Sequence, residues 1–196
     1  MTAGLILAAG SGSRFGDEPK LLAELDGRPL LEHAIRAQSA VARLSRIVVV
    51  LGAGAERILA AVDFGRAEPV TCDEWSEGQA ASLRCGARAL AGADKVIVTL
   101  GDEPLISSEA IALLVDADPG ARATYDGLPG HPVALGPEHL HALLSRTGDR
   151  GARDLLRGGE LIECGHLCCG RDVDTIDDLE QIRRLRGRPS RPGSHR

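Results

Sequence analysis

Leu5-Ile6-Leu7-Ala8-Ala9-Gly10-Ser11-Gly12-Ser13-Arg14-Phe15-Gly16-Asp17-Glu18-Pro19-Lys20 joins an apolar run to a glycine-rich loop. A short run that stops at glycine suits a strand buried on both faces. Gly10, Gly12 and Gly16 let the following backbone bend around an anion and aim N–H groups at it. Arg14 and Lys20 add two positive charges, so the loop suits a polyphosphate. Two commoner phosphate motifs fail here. A dinucleotide fingerprint G-x-G-x-x-G needs a third glycine where Phe15 stands. A P-loop needs lysine after its last glycine, and Gly16 is followed by Asp17.

Further along, Ile47-Val48-Val49-Val50-Leu51 and residues 95–100 read as two more buried strands, with a brief one over 68–72. Helices are expected over 28–40, with Leu31, Ala34, Ile35 and Gln38 on one face, and over 55–62. A third opens at Glu77-Gly78, with Leu83, Ala87 and Leu90 together, and a fourth runs from the N-cap Ser107 to about Val115. Strands at 121–125 and 132–135 flank a turn over 127–131. Helices at 137–144 and 152–156 and a strand at 161–164 follow. Thr175-Ile176-Asp177-Asp178 matches a capping box before a last helix that aligns Ile176, Leu179 and Ile182.

Alternation of apolar strands with helices implies a mostly parallel sheet with helices on both faces, a three-layer α/β/α, Rossmann-like architecture. Residues 1–186 are expected to form a single domain. The basic, Pro- and Gly-rich tail over 187–196 is expected to be disordered. Ligands of such sheets sit at the carboxyl ends of the strands. The loops after Ala8, after Leu100 and near Asp172 should therefore converge.

Composition narrows the partners. The 196 residues carry a formal net charge of −5 and only 2% aromatics. An acidic chain without stacking residues is a poor match for nucleic acid or an anionic membrane. No apolar run approaches the ~20 residues of a bilayer span. Five cysteines without framework spacing suit a reducing compartment, so the expected location is cytoplasmic. Cys164, Cys168 and Cys169 fit no zinc pattern.

Leu7-Ala8-Ala9-Gly10 with Arg14, Gly16 and Lys20 resembles the signature of MobA-like nucleotidyltransferases, which have the nucleoside-diphospho-sugar transferase fold. That resemblance implies that Leu7, Ala8 and Ala9 lie by the base. It implies that Gly10, Ser11, Gly12 and Ser13 wrap the phosphates, with Arg14 and Lys20 paired to them. Leu100-Gly101-Asp102-Glu103-Pro104 stands where the family holds its metal-binding aspartate. Asp102 is thus the first Mg²⁺ ligand, and Glu103 replaces the family's glutamine or methionine and is given no role. Asp172-Val173-Asp174-Thr175-Ile176-Asp177-Asp178-Leu179 is similar to a late D-x-D-T-P-E-D-L element. The similarity makes Asp174 the second ligand and Asp172 an accessory, and alternation along a strand would put both on one face.

The segment over 77–86 resembles the E-G-M-S-x-S-L-R-x-G element of molybdenum-cofactor cytidylyltransferases, with Gln79 and Ala80 as departures. Ser82 is its carried-over contact to base and ribose. Residues 129–133 and 148–153 are similar to that subgroup's G-H-P-V and G-D-x-G-A-R elements, which implies His131 and Arg153 on the acceptor. The expected reaction is Mg²⁺-dependent transfer of a nucleoside monophosphate, from CTP first and GTP second, to a phosphorylated acceptor, molybdopterin first. A molybdoenzyme is the expected protein partner. Two other classes stay open: a nucleotide-binding module that delivers a cofactor without catalysis, and an oxidoreductase on a Rossmann-like sheet.

Overall fold

The structure is a computed structural model, and it describes residues 1–16, 18–145 and 155–186. The chain runs β1 (Thr2–Ala8), a 3-10 turn (Lys20–Leu22), the small hairpin β2 (Glu24–Leu25) and β3 (Arg28–Pro29), then α1 (Leu30–Ser39). It continues through β4 (Arg46–Leu51), α2 (Ala55–Ala61), β5 (Ala67–Thr71), a second 3-10 turn (Asp73–Glu77), α3 (Gln79–Ala89) and β6 (Lys95–Leu100). The second half holds α4 (Ser108–Asp116), β7 (Arg122–Tyr125), β8 (Leu128–Leu135), α5 (Pro137–Ser145), β9 (Leu161–Glu163) and α6 (Ile176–Arg186).

Seven strands form one sheet in the order β5-β4-β1-β6-β8-β7-β9. The four strands on the β5 side are parallel, and β8 runs antiparallel to both β6 and β7. Successive side chains along a strand point to opposite faces, and both faces are covered. Ile6, Ala8, Ile47, Val49 and Leu51 pack with Leu31, Ile58 and Ile111 of α1, α2 and α4. Leu5, Leu7, Val48 and Val50 pack with Leu83, Ala87 and Leu140 of α3 and α5. Double-sided burial is why these strands read as unbroken apolar runs. Gln38 is fully buried, its amide donating at 2.9 Å to the Oγ1 of Thr99, another buried polar side chain. A Cβ on Gly4 would lie 1.9 Å from Gln38 Oε1, so a larger residue there would force that side chain to move.

Several boundaries differ from the sequence reading. The turn before β8 is only Asp126-Gly127, because both have positive φ (52° and 76°), as a two-residue hairpin turn requires. β8 therefore starts at Leu128, four residues ahead of the expected Pro132. The Asp172–Asp174 segment is not a strand but an irregular extended connection. Its pairing is a single bond, Val173 N to Asp102 O at 2.9 Å. The helix expected over 152–156 lies mostly outside the described residues, as does the 187–196 tail.

Both predicted caps form. Ser107 Oγ accepts from Ala110 N at 3.2 Å. At α6, Thr175 Oγ1 accepts from Asp178 N at 3.2 Å while Asp178 Oδ2 accepts from Thr175 N at 2.8 Å. The Thr175 hydroxyl, which also donates to Asp178 Oδ2 at 2.7 Å, and then the Thr175 amide hold the Asp178 carboxyl below the usual range. Leu179 and Ile182 then seat α6 on Leu25, Leu30 and Val173. Among the described residues no helix is long and apolar enough to cross a membrane.

Candidate active site

The chain leaves β5 and crosses over β1 to enter β6, so the sheet's switch point lies at the carboxyl ends of β1 and β6. Three connections meet there. Gly101 N donates to Leu7 O at 2.9 Å, and Ala53 N donates to Ala9 O at 3.2 Å. The Val173–Asp102 bond brings in the segment before α6. Gly12, at φ 58°, sits with the Lys20 Cβ only 3.0 Å from where its own Cβ would be, so the glycine loop folds directly onto Lys20.

At the centre, Lys20 Nζ donates to Asp102 Oδ2 at 2.7 Å and to Asp174 Oδ1 at 3.0 Å. Arg14 reaches the other oxygen of Asp174 at 2.6 Å. The Lys20 side chain is 10% exposed, and those of Asp102 and Asp174 are 22% and 31% exposed. Burial pulls the Lys20 ammonium down, but the carboxylates, Asp102 first, outweigh it and hold its pKa above the ordinary lysine value. Two carboxylates converging on one buried cation are a donor set that fits a hard divalent ion, which takes oxygen ligands. Asp172 does not join them.

Two adjoining cavities lie near this cluster, and Asp102 lines the first of them. One, of about 350 Å³, is lined by Leu7, Ala9, Gly10, Ser11, Trp75 and Ser82, and Asp102 stands at its edge. Ala8 is buried in the core beside it, while Ser13 and Arg14 lie exposed on the loop. Trp75, the only tryptophan of the chain, was missed from sequence. It lies on a 3-10 turn without periodicity, and its one signal was its place just before Glu77-Gly78. A Cβ on Gly52 would fall 2.5 Å from Trp75 Cβ and 2.6 Å from Ala9 O, so glycine lets this wall close. Cys72 and Cys85 form a disulfide that ties the strand end before Trp75 to α3 behind Ser82. This corrects the expectation of thiols throughout: the pairing is three-dimensional, and no framework spacing announces it. Cys164, Cys168 and Cys169 are unpaired with one another.

The second cavity, of about 270 Å³, shares Leu7, Leu100 and Gln79 with the first and adds Glu103, His131 and Asp172. His131 Nδ1 lies 3.4 Å from Glu103 Oε1, and the Tyr125 hydroxyl donates to His131 O at 2.6 Å. Burial pushes the Glu103 carboxyl up, against the opposing pull of His131. Burial, followed by the Cys168 sulfur, raises the Tyr125 phenol. Glu103 had no sequence signal beyond its departure from the family residue. Arg153 lies outside the described residues. The geometry thus supplies two adjoining chambers that share Leu7, Gln79 and Leu100, with Asp102 of the cation cluster lining the first, an arrangement suited to joining two bound molecules.

The family model described as "MobA-like NTP transferase domain" matches residues 4–164. A nicotine blue oxidoreductase of Paenarthrobacter nicotinovorans is 33% identical over 91% of this chain and 95% of its own length. The bifunctional protein GlmU of Mycobacterium ulcerans is 36% identical over 76% of this chain, which spans only 31% of that longer protein. A solved nucleotidyl transferase from Methanothermobacter, 26% identical, superposes with a TM-score of 0.77 over 96% of this chain and 99% of its own. A match across this much of the chain, together with the shared fold, means that the chain belongs to the MobA-like NTP transferase domain family of nucleotidyltransferases.

Proposed function

We propose that this enzyme transfers a nucleoside monophosphate from CTP to a phosphorylated acceptor of the molybdopterin type, releasing pyrophosphate. The observation that carries the reading is the convergence of Asp102 and Asp174 on Lys20 beside the first cavity, which Asp102 lines. The Trp75 and Ser82 wall takes base and ribose, and the loop over 10–16 takes the phosphates. Asp102 and Asp174 hold Mg²⁺, with Asp172 as an accessory from the neighbouring cavity. When bound, the ion supplies charge neutralisation for the phosphate oxygens. Lys20 and Arg14 turn from the carboxylates to the phosphates and stabilise the charge that develops on the leaving pyrophosphate. His131, and Arg153 beyond the described residues, face the acceptor. CTP and molybdopterin are preferred because residues 77–86 and 129–133 resemble the cytidylyltransferase elements; GTP is the second donor.

The test is Asp102→Asn with CTP, GTP, ATP and UTP, following pyrophosphate release in the presence of Mg²⁺. Removing one electrostatic anchor from a preorganised site costs on the order of 10²–10³-fold in turnover. Near-normal turnover in that variant removes Asp102 from the mechanism. An oxidoreductase is the second reading, favoured by the activity named for the 33% identical relative. Saturable binding and oxidation of NADH or NADPH, with no pyrophosphate released from any triphosphate, would establish it instead.

A further inference from the structure

Five of the residues that line the first cavity, Trp75, Ser76, Gly78, Gln79 and Ser82, lie between Cys72 and Cys85. The sulfur link closes that segment into a loop. Opening it leaves two thiols that the fold still holds together. Cys72 N donates to Leu51 O at 2.8 Å, and Cys72 is fully buried in the cluster that holds Leu83 and Ala87 of α3. Cys85 is carried by α3 itself, and the two Cα atoms lie 6.0 Å apart.

A third ligand stands beside them. Glu74, on the 3-10 turn that follows Cys72, brings a carboxylate oxygen within 4.8 Å of both sulfurs. Among the described residues no other three His, Cys, Asp or Glu side chains meet that closely. Cys85 is half-buried and the Glu74 side chain is 47% exposed, so an ion has a way in from solvent. Glu74 Oε2 pairs with Arg88 Nη1 at 3.3 Å. A carboxylate can keep such a partner on one oxygen and offer the other to a metal, and an outer partner of this kind orients the ligand. The charges also balance: two thiolates and a carboxylate carry three negative charges, and a divalent ion with Arg88 supplies three positive ones.

The donor set selects the ion. Thiolates favour Zn²⁺, whereas Mg²⁺ is held by oxygen. Zn²⁺ takes thiolate sulfur at ~2.3 Å in tetrahedral geometry, which sets the two sulfurs about 3.8 Å apart. Rotation about the side-chain bonds reaches that spacing once the disulfide is open. We infer that Cys72, Glu74 and Cys85 form a zinc site when the disulfide is reduced, so that the wall of the first cavity is tied through sulfur in the oxidised state and through metal in the reduced one. A dithiol gives two electrons to the S–S bond and two protons to the sulfurs, and leaves as a disulfide. One Zn²⁺ then displaces those two protons, and water fills its fourth position.

Co²⁺ serves as the probe, because thiolate ligation gives it a near-ultraviolet charge-transfer band that oxygen ligation does not. The protein is reduced with dithiothreitol, desalted without oxygen and titrated in excess Mg²⁺, which keeps oxygen-only sites filled. Reduced wild type should take up one equivalent with that band, lose Trp75 emission in step, and release the Co²⁺ to Zn²⁺. The oxidised protein should show neither change. Cys72→Ser and Cys85→Ser, each confirmed folded by thermal melts, back each other up, and each should lose at least half of the band. Glu74→Gln should keep the two-thiolate band and bind at least ~10-fold more weakly, since even outer partners of a ligand are worth that much. No band in the reduced protein, the same band in the oxidised one, or a full band in both serine variants overturns the site. So does a band with Trp75 emission intact, or unchanged affinity in Glu74→Gln. None of these outcomes depends on what the first cavity binds.

Discussion

Replacing Lys20 by alanine should make the protein less stable without a divalent cation and more responsive to one. Lys20 is the cation that Asp102 and Asp174 share, with contacts of 2.7 Å and 3.0 Å. Fully exposed pairs contribute at most ~1 kcal/mol. Removing one partner of a fully buried pair costs ~3–5 kcal/mol. With side chains 10%, 22% and 31% exposed, this cluster lies between those limits, and a loss of about 2 kcal/mol is expected. For a chain of 196 residues that lowers Tm by about 4–8 °C in chelator. The variant leaves two carboxylates facing an open position, so Mg²⁺ at ~100 times its Kd should return about 2.7 kcal/mol. Wild type must first displace its own ammonium and should gain less. Because the Lys20 pKa is raised, the wild-type advantage is complete below the ordinary lysine pKa and fades as pH climbs through the higher folded value. The assay is thermal and urea unfolding of both proteins across a Mg²⁺ series. Equal metal responses, or a larger one in wild type, would refute the idea that lysine and metal compete for one pair of acids.

Gly52→Ala should push Trp75 out of its wall, since the new Cβ would meet both Trp75 Cβ and Ala9 O inside contact distance; unchanged tryptophan emission together with unchanged CTP affinity would contradict the packing. Glu163 accepts from Thr124 Oγ1 and from the Gly165, Gly127 and Asp126 amides, with Thr124 as the chief cause of its depressed pKa. Its stabilisation is therefore present above the unfolded pKa and is lost as pH falls through the folded one, so Glu163→Gln should flatten the acid limb of a stability–pH curve. Breaking the Cys72–Cys85 link, by reductant or by Cys85→Ser, should cost roughly 3 kcal/mol, because it opens a short loop with a sequence separation of 13 residues. A Tm that is the same with and without dithiothreitol would argue against the link in solution.

The central sheet was legible because β1, β4 and β6 are buried on both faces and are therefore apolar along most of their length, Thr99 being a polar step in β6. The glycine loop was legible because left-handed backbone favours glycine, and Gly12 and Gly16 do have positive φ. Alternation misled at Asp172 and Asp174. It assumes a strand, whereas the irregular backbone there sends Asp174 to Lys20 and leaves Asp172 on the second cavity. Trp75 and Glu103 were invisible for a related reason. Each is placed by a contact with a distant residue, Gly52 for one and His131 for the other, and no local spacing encodes such a contact. The Cys72–Cys85 link belongs to the same class, since it joins a strand end to a helix.

The antiparallel seam between β6 and β8 divides the labour of the molecule. On one side lie β5, β4, β1 and β6, with the loops that face the first cavity; on the other lie β8, β7 and β9, with the residues that line much of the second. Substitutions beyond the seam can reshape one chamber while leaving the backbone of the other in place. Such a chassis is evolvable: the half that faces the first cavity can be inherited intact while the half beyond the seam drifts toward new chemistry. Among the described residues, Leu7, Gln79 and Leu100 alone line both chambers, so those three positions are where a change of clientele on one side would be felt on the other.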